Sequence, residues 1–445
     1  MSALAEGGSS GRNVFLLLQG HFVSKIGTAA FDVALVLWMK QHMGLASVVG
    51  IVMMAAKLPE ILLSPLSGTL VDMTSRKKVL VLCDLVVGVL ITAISVACLA
   101  LPGETGLVFT LLVAAAICIG ICDSFFNPAV ASFLPELVSS RSLHSANAVY
   151  RFTTTAATFL GQCAAGAVFT AIGAPILFLA NGVSYLFSAG SQACISSPSG
   201  RPAAGSGHSA RIVIDNLKAG LAYVRDRREL RSFLFIICLY HFFVSPFTVI
   251  LPFYMSDVLN AAPAWYGYAM ACFGAGLLAG FLLAGLFRLS SHRRAWVATL
   301  CFGISAVSFL LIGLLPHLWL VLPLLALIGV TIAIIVVTLN TVIQLTTPNS
   351  LHGRVFGLYS TLSTASIPFG MGFFGIAMDL LRKALSQPSQ APAAIFLFCG
   401  ATLCVIVAVF MSRSSFRQAL LGNEAIASGP AAAEGAGMLA DAAEQ

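Results

Sequence analysis

The chain has 445 residues, of which 58% are hydrophobic and only 9% charged, with a mean hydropathy of +0.95. Soluble domains carry roughly 25% charged residues, so a water-soluble globule is excluded. The net charge of +7 is no nucleic-acid footprint, because the basic residues sit in loops between apolar runs, where membrane topology demands them.

A helix crosses the bilayer with roughly 20 apolar residues, and such runs recur along almost the whole chain. They are long and continuous, which favours helices over a barrel, whose strands are segments of roughly 10 residues with alternating polarity. The reading is an all-α membrane protein with about twelve spans of the length a bilayer requires. They fall at 14–41, 45–74, 78–101, 106–135, 145–173, 175–196, 232–259, 263–289, 294–315, 317–346, 353–384 and 391–412. The first is too long for a signal-peptide core and no small-residue cleavage site follows it, so it reads as a span.

One long polar interruption breaks the series: SPSGRPAAGSGHSAR followed by the basic stretch YVRDRRELR. It divides the chain into an N-terminal tail (1–13), a six-helix bundle (14–196), a linker (197–231), a second six-helix bundle (232–412) and a tail (413–445) of disordered composition. With the N-terminus inside, Arg76, Lys77, Lys78, Arg141, Arg225, Arg293, Arg294 and Arg354 fall in cytoplasmic loops, against Lys40, Arg382 and Lys383 outside. This bias predicts a multi-pass protein of the plasma (inner) membrane with tail, linker and both termini cytoplasmic. Asp72, Arg76 and Lys78 align at one offset with Arg288, His292 and Arg294. Asn127, Pro135 and Arg141 recur at another as Asn340, Pro348 and Arg354. Two parallel, pseudo-symmetric repeats follow, with a substrate site between them near the bilayer midplane.

Charge at bilayer depth is expensive, so each such residue is a functional candidate. Lys25 and Asp32 share one face of the first helix, two turns apart, and Lys57 and Glu60 are neighbours on the second. Asp123 falls near the middle of the fourth, while Asp84 and Arg151 lie nearer the cytoplasmic ends. Asp32 is the first candidate for a carboxylate that takes up and releases a proton as the cavity alternates between sides; its alternative is a static partner for Lys25 or Lys57. Glu60 comes next, although Lys57 can simply neutralise it. Lys25 and Lys57 are candidates to meet an anionic group on a substrate. Asp123 is either a coupling residue or a group hydrogen-bonded inside the bundle. The second half offers at depth only His241, Asn340, Gln344 and a few hydroxyls, with Asp257 and Asp379 near the outer surface.

The run GTLVDMTSRKKV places Gly68, Asp72, Arg76, Lys77 and Lys78 in a tight loop between two spans. Its charges can latch the two halves through helix-terminus interactions, and Arg354 mirrors it in the second half; the plainer alternative is a positive-inside anchor. Glycines at 161, 166, 274, 276 and 280 read as close-packing positions, and Pro246, Pro252 and Pro368 as kinks. The 11 cysteines are scattered singly, as small core residues. The sequence holds no Walker-type phosphate loop, HExxH, nucleophile elbow or metal-ligand cluster. Neither an ATP-driven pump nor an enzyme is expected, and no cofactor or metal.

The signature loop resembles G-x-x-x-D-R-x-G-R-R/K of the major facilitator superfamily. Ser24, Gly27, Asp32 and Ala34, the run FFNPAVASFLPELV followed by LHSANAV, and QLTTPNSLHGRVFG resemble the branch of macrolide-efflux proteins and enterobactin exporters. The resemblance covers nearly the whole chain and implies alternating access, with drug or siderophore export driven by proton entry, in a protein that works as a monomer. Departures are Met73 and Ser75 in place of the usual Arg and Gly, Gln162 where the antiporter motif of the fifth helix has Pro, and Lys25 where a small residue is typical.

The leading expectation is therefore a proton-coupled exporter of amphiphilic small molecules, with substrate, protons and the lipid bilayer as partners. A proton-independent translocator of lysophospholipid or a similar amphiphile is the second. A non-transporting scaffold or sensor is the third, and the costly embedded charges argue against it.

Overall fold

The computed structural model describes residues 8–101, 103–139, 142–196, 224–286, 291–347 and 352–412. Its helices are α1 (Gly8–Met43), α2 (Ala46–Asp72), α3 (Arg76–Ala100), α4 (Thr105–Leu137), α5 (Leu143–Ile172), α6 (Ala174–Ala193), α7 (Arg228–Val244), α8 (Pro246–Phe253), α9 (Ala264–Leu286), α10 (Ser291–Leu314), α11 (Leu318–Thr346), α12 (His352–Ala384) and α13 (Ala391–Ser412). Eleven segments are long and apolar enough to cross a membrane, with α7, α8 and the π turn Tyr254–Val258 forming one of them, Leu230–Val258. The twelfth span is α6, whose 20 residues are more polar. It carries Asn181, Ser188 and Gln192 fully buried between α1 and α3, so protein rather than lipid solvates them.

The expected span boundaries agree with these helices to within a few residues. The expected linker lies outside the described residues up to position 223, as does the C-terminal tail. Pro246 starts α8 because proline tolerates the first turn of a helix, where its missing N–H is not needed. The chain then runs through Pro252 into the π turn, while α12 continues through Pro368.

Helices α1 to α6 pack on one another, as α1 on α5 and α6, α2 on α4, and α3 on α4 and α6. The second half repeats the scheme, as α9 on α11, α10 on α11 and α13, and α12 on α7. The halves meet chiefly along α2–α12 and α5–α9. One end of the bundle holds Gly8, the α2–α3 loop and Ser412; we name it the terminal end and the opposite one the distal end. The distal links are short: one residue, Gly173 at φ +78°, joins α5 to α6. At α5–α9 the backbones touch, since a Cβ on Gly166 would lie 2.7 Å from the Gly267 Cα. Only glycine at both positions permits that approach.

Candidate functional site

A cavity of about 180 Å³ lies between the halves. Asp32, Lys57 and Asp123 line it from the first half, and Tyr266, Met270 and Met371 from the second. Helix α1 presents Asp32 here because its other faces are occupied. From Ala29 to Met39 every residue is buried except Asp32, which is exposed. Phe31 packs on Phe178 of α6 with ring centroids 5.0 Å apart. Asp32 forms no ion pair among the described residues, so the static partnership with Lys25 or Lys57 is not made in this conformation.

Lys57 and Glu60 do form the expected i,i+3 pair, at 3.4 Å, with Lys57 52% exposed toward the cavity. Glu60 is held on its other oxygen as well, accepting from Asn127 Nδ2 of α4 at 3.3 Å. Lys25 and Asp123 are half-buried and share a smaller cavity deeper in the first half. The structure thus brings Asp32, Lys57 and Asp123 to one wall, ties Glu60 into a neighbouring pair, and turns Lys25 inward. His241 sits in the second half, with Nδ1 2.9 Å from the Ile237 carbonyl and 3.2 Å from Ser363 Oγ.

At the terminal end, Arg76 forms a 2.9 Å ion pair with Glu136 of α4. Lys77 Nζ donates to the carbonyls of Ala193 and Ile195, both at 2.7 Å, where α6 leaves its last acceptors unpaired. These contacts stay within the first half. Lys78 is exposed, and Gly68 has open space around its Cα. The side chains of Asp72 and Arg354 lie outside those described.

Two groups were visible in the sequence but were given no role there. Asp84, only 2% exposed, faces the smaller cavity; its charge inside an apolar run was the available signal. The second group is at the distal end. Lys40 Nζ donates to the Pro252 carbonyl at 2.9 Å, contacts Ser256 Oγ, and lies 3.9 Å from Asp257. Arg382 pairs with Asp257 and donates to the Gly44 carbonyl at 3.0 Å. Both cations flank the Phe253 ring, at 5.5 and 4.9 Å. Asp379 accepts the backbone N–H groups of Ala46 and Ser47. Lys40, Gly44, Ala46 and Ser47 belong to the first half and their partners to the second, so this cluster clamps the halves together.

Two six-helix halves around a shared, mainly apolar cavity that carries Asp32, Lys57 and Asp123, clamped at one end, define a transporter of the major facilitator type. The pattern of the transmembrane secretion effector family matches residues 12–423, and the chain belongs to that family. It is 26% identical over 378 residues to the multidrug efflux pump Tap of Mycobacterium tuberculosis, covering 82% of this chain and 87% of that protein. It is 22% identical over 370 residues to macrolide efflux protein A of Streptococcus pyogenes, covering 80% and 87%. Among solved structures, a bacterial homologue of the human lysosomal transporter Spinster, inward-facing and occupied, superposes with a TM-score of 0.66 at 12% identity over 95% of each chain. The protein is a transporter of the major facilitator type, embedded in a membrane, and not an enzyme.

Proposed function

We propose that the protein exports amphiphilic small molecules of the drug or siderophore type in exchange for protons, working as a monomer. Its two bundles, 14–196 and 232–412, rock about the cavity, joined by the linker 197–231. The basic terminal end lies in the cytoplasm of a cell with the protein in its inner membrane. The clamped distal end then faces outside, and the conformation is inward-facing.

The observation that carries this reading is Asp32, a carboxylate on the cavity wall without an ion-pair partner among the described residues. It is free to trade a proton against a cationic or polar cargo as access alternates. The facing wall of Met270, Met371 and Tyr266 suits amphiphiles of varied shape, because methionine is flexible and polarizable. The multidrug and macrolide pumps among the relatives favour the same cargo class. Lys57 and Lys25 are offered as contacts for anionic groups, Asp123 and Glu60 as auxiliary coupling residues. Gly68, Asp72, Arg76, Lys77, Lys78 and Arg354 are offered as the latch that closes the cytoplasmic side in the opposite conformation.

The test uses inside-out vesicles carrying wild type or Asp32→Asn, energised to a proton gradient and followed with a pH-sensitive dye. Macrolides, lipophilic cations, catecholate siderophores and lysophospholipids are added in turn. Proton release on adding one compound, lost in Asp32→Asn, is expected. Transport of a lysophospholipid without proton release, unchanged in Asp32→Asn, would replace exchange with passive translocation.

A further inference from the structure

The smaller cavity is about 10 Å³, the space of a single water. Its walls are polar, with His21 and Lys25 from α1, Asp84 from α3, Asp123 from α4 and Tyr185 from α6. Asp123 also lines the central cavity, so the two spaces share a wall residue. Thr28 of the central cavity stands 3.0 Å from the Tyr185 hydroxyl of the smaller one, a second polar link.

Asp84 is a buried acid of this lining. It has no ion-pair partner among the described residues. Its contacts are neutral: Gln192 Nε2 donates to Oδ2 at 2.8 Å and also reaches Ser188 Oγ at 3.0 Å. The other ionisable groups around it are His21 and Lys25 on α1, Cys122 and Asp123 on α4, Tyr185 on α6 and its own neighbour Cys83.

Two buried atoms beside it make no hydrogen bond, Gln192 Oε1 and His21 Nδ1, on residues 0% and 1% exposed. Both are acceptors. His21 Nε2 lies 3.2 Å from Thr154 Oγ1, whose own hydrogen goes to the Tyr150 carbonyl at 2.8 Å. Nε2 therefore carries the imidazole hydrogen, and Nδ1 presents a lone pair. An ionised Asp84 would add a further acceptor beside these two, neither of which takes a hydrogen bond from Lys25 or Tyr185. A carboxylic acid supplies the missing O–H, to Gln192 Oε1 after an amide rotation or, through one water, to His21 Nδ1.

We propose that Asp84 is a second proton-holding position, buried inside the first half and reached from the central cavity past Asp123. Its role in transport rests on the proton-exchange reading; its protonation does not. The proton comes from solvent in the central cavity, forms the Asp84 O–H, and returns by the same route.

The experiment is infrared difference spectroscopy during a pH titration of the full-length protein in lipid nanodiscs, with wild type, Asp32→Asn and Asp84→Asn. A protonated-carboxyl carbonyl band at neutral pH, retained in Asp32→Asn and lost in Asp84→Asn, is expected. Gln192→Met leaves Asp84 in place and should move that band, which keeps the test decisive if Asp84→Asn fails to fold. A band that survives in Asp84→Asn or does not move in Gln192→Met, or no such band in wild type, overturns the proposal. Substrate-driven proton release measured on the same wild-type preparation judges the exchange reading separately. Its absence would remove that reading, while the band still decides whether Asp84 holds a proton.

Discussion

Asp379 caps a helix that belongs to the other half of the molecule: its Oδ2 accepts the Ser47 N–H at 2.8 Å, and its Oδ1 that of Ala46 at 3.1 Å. The first backbone N–H groups of any helix lack intrahelical partners, and a carboxylate there also meets the positive end of the helix dipole. Here the cap exists only while α2 and α12 lie together, so closure of the distal end supplies it and opening removes it.

Asp379→Ala should therefore weaken distal closure rather than the fold of either half. A lost N-cap costs about 1–2 kcal/mol, which shifts the closed-to-open ratio about 5–30-fold. Distance distributions between spin labels at the exposed positions Gln41 and Gln387, in a background without native thiols, read this directly. A distribution identical to wild type would show that the cap does not set the equilibrium.

The Lys40–Asp257–Arg382 cluster gives an asymmetric prediction. Asp257→Asn leaves two cations facing each other, whereas Lys40→Met leaves the Arg382–Asp257 pair intact. The side chains are 18–24% exposed, so solvent screens each contact and about 0.5–1 kcal/mol is at stake per pair. The same label pair should show more opening for Asp257→Asn than for Lys40→Met, with partial recovery in the double variant. High salt should narrow the difference.

Gly166→Leu should prevent distal closure altogether. A Cβ at Gly166 already meets the Gly267 backbone at less than van der Waals distance, and no rotamer relieves a backbone clash. The labels should report a permanently open distal end, and export should be lost. Gly285→Ala, where a Cβ meets open space, should change neither.

The two acidic residues of the cavity region should separate. Asp32→Asn is expected to abolish proton-linked export. Glu60→Gln should lower it only a few-fold, since Asn127 and Lys57 already occupy both Glu60 oxygens and such pairs contribute about 0.3–1 kcal/mol each. Transport assays in energised vesicles decide the order, and equal loss in both would assign Glu60 an active part.

Much of this was legible along the chain. Hydropathy reports how each segment partitions between water and lipid, so the twelve spans and the segregation of basic residues to one end could be read from the residues alone. The embedded charges could be found the same way, because an apolar run makes Asp32, Lys57 or Asp84 conspicuous. Their roles could not be told apart, because each depends on which helix lies opposite. Asn127 reaches Glu60 across 67 positions and Gln192 reaches Asp84 across 108. Lys40 and Arg382 read as topology markers and Asp257 and Asp379 as acids near the outer surface, and the four became a clamp once the α2–α12 and α5–α9 contacts set the helix register. That register comes from close backbone approach at residues such as Gly166 and Gly267. It is a matter of shape between distant segments, to which local periodicity carries no reference.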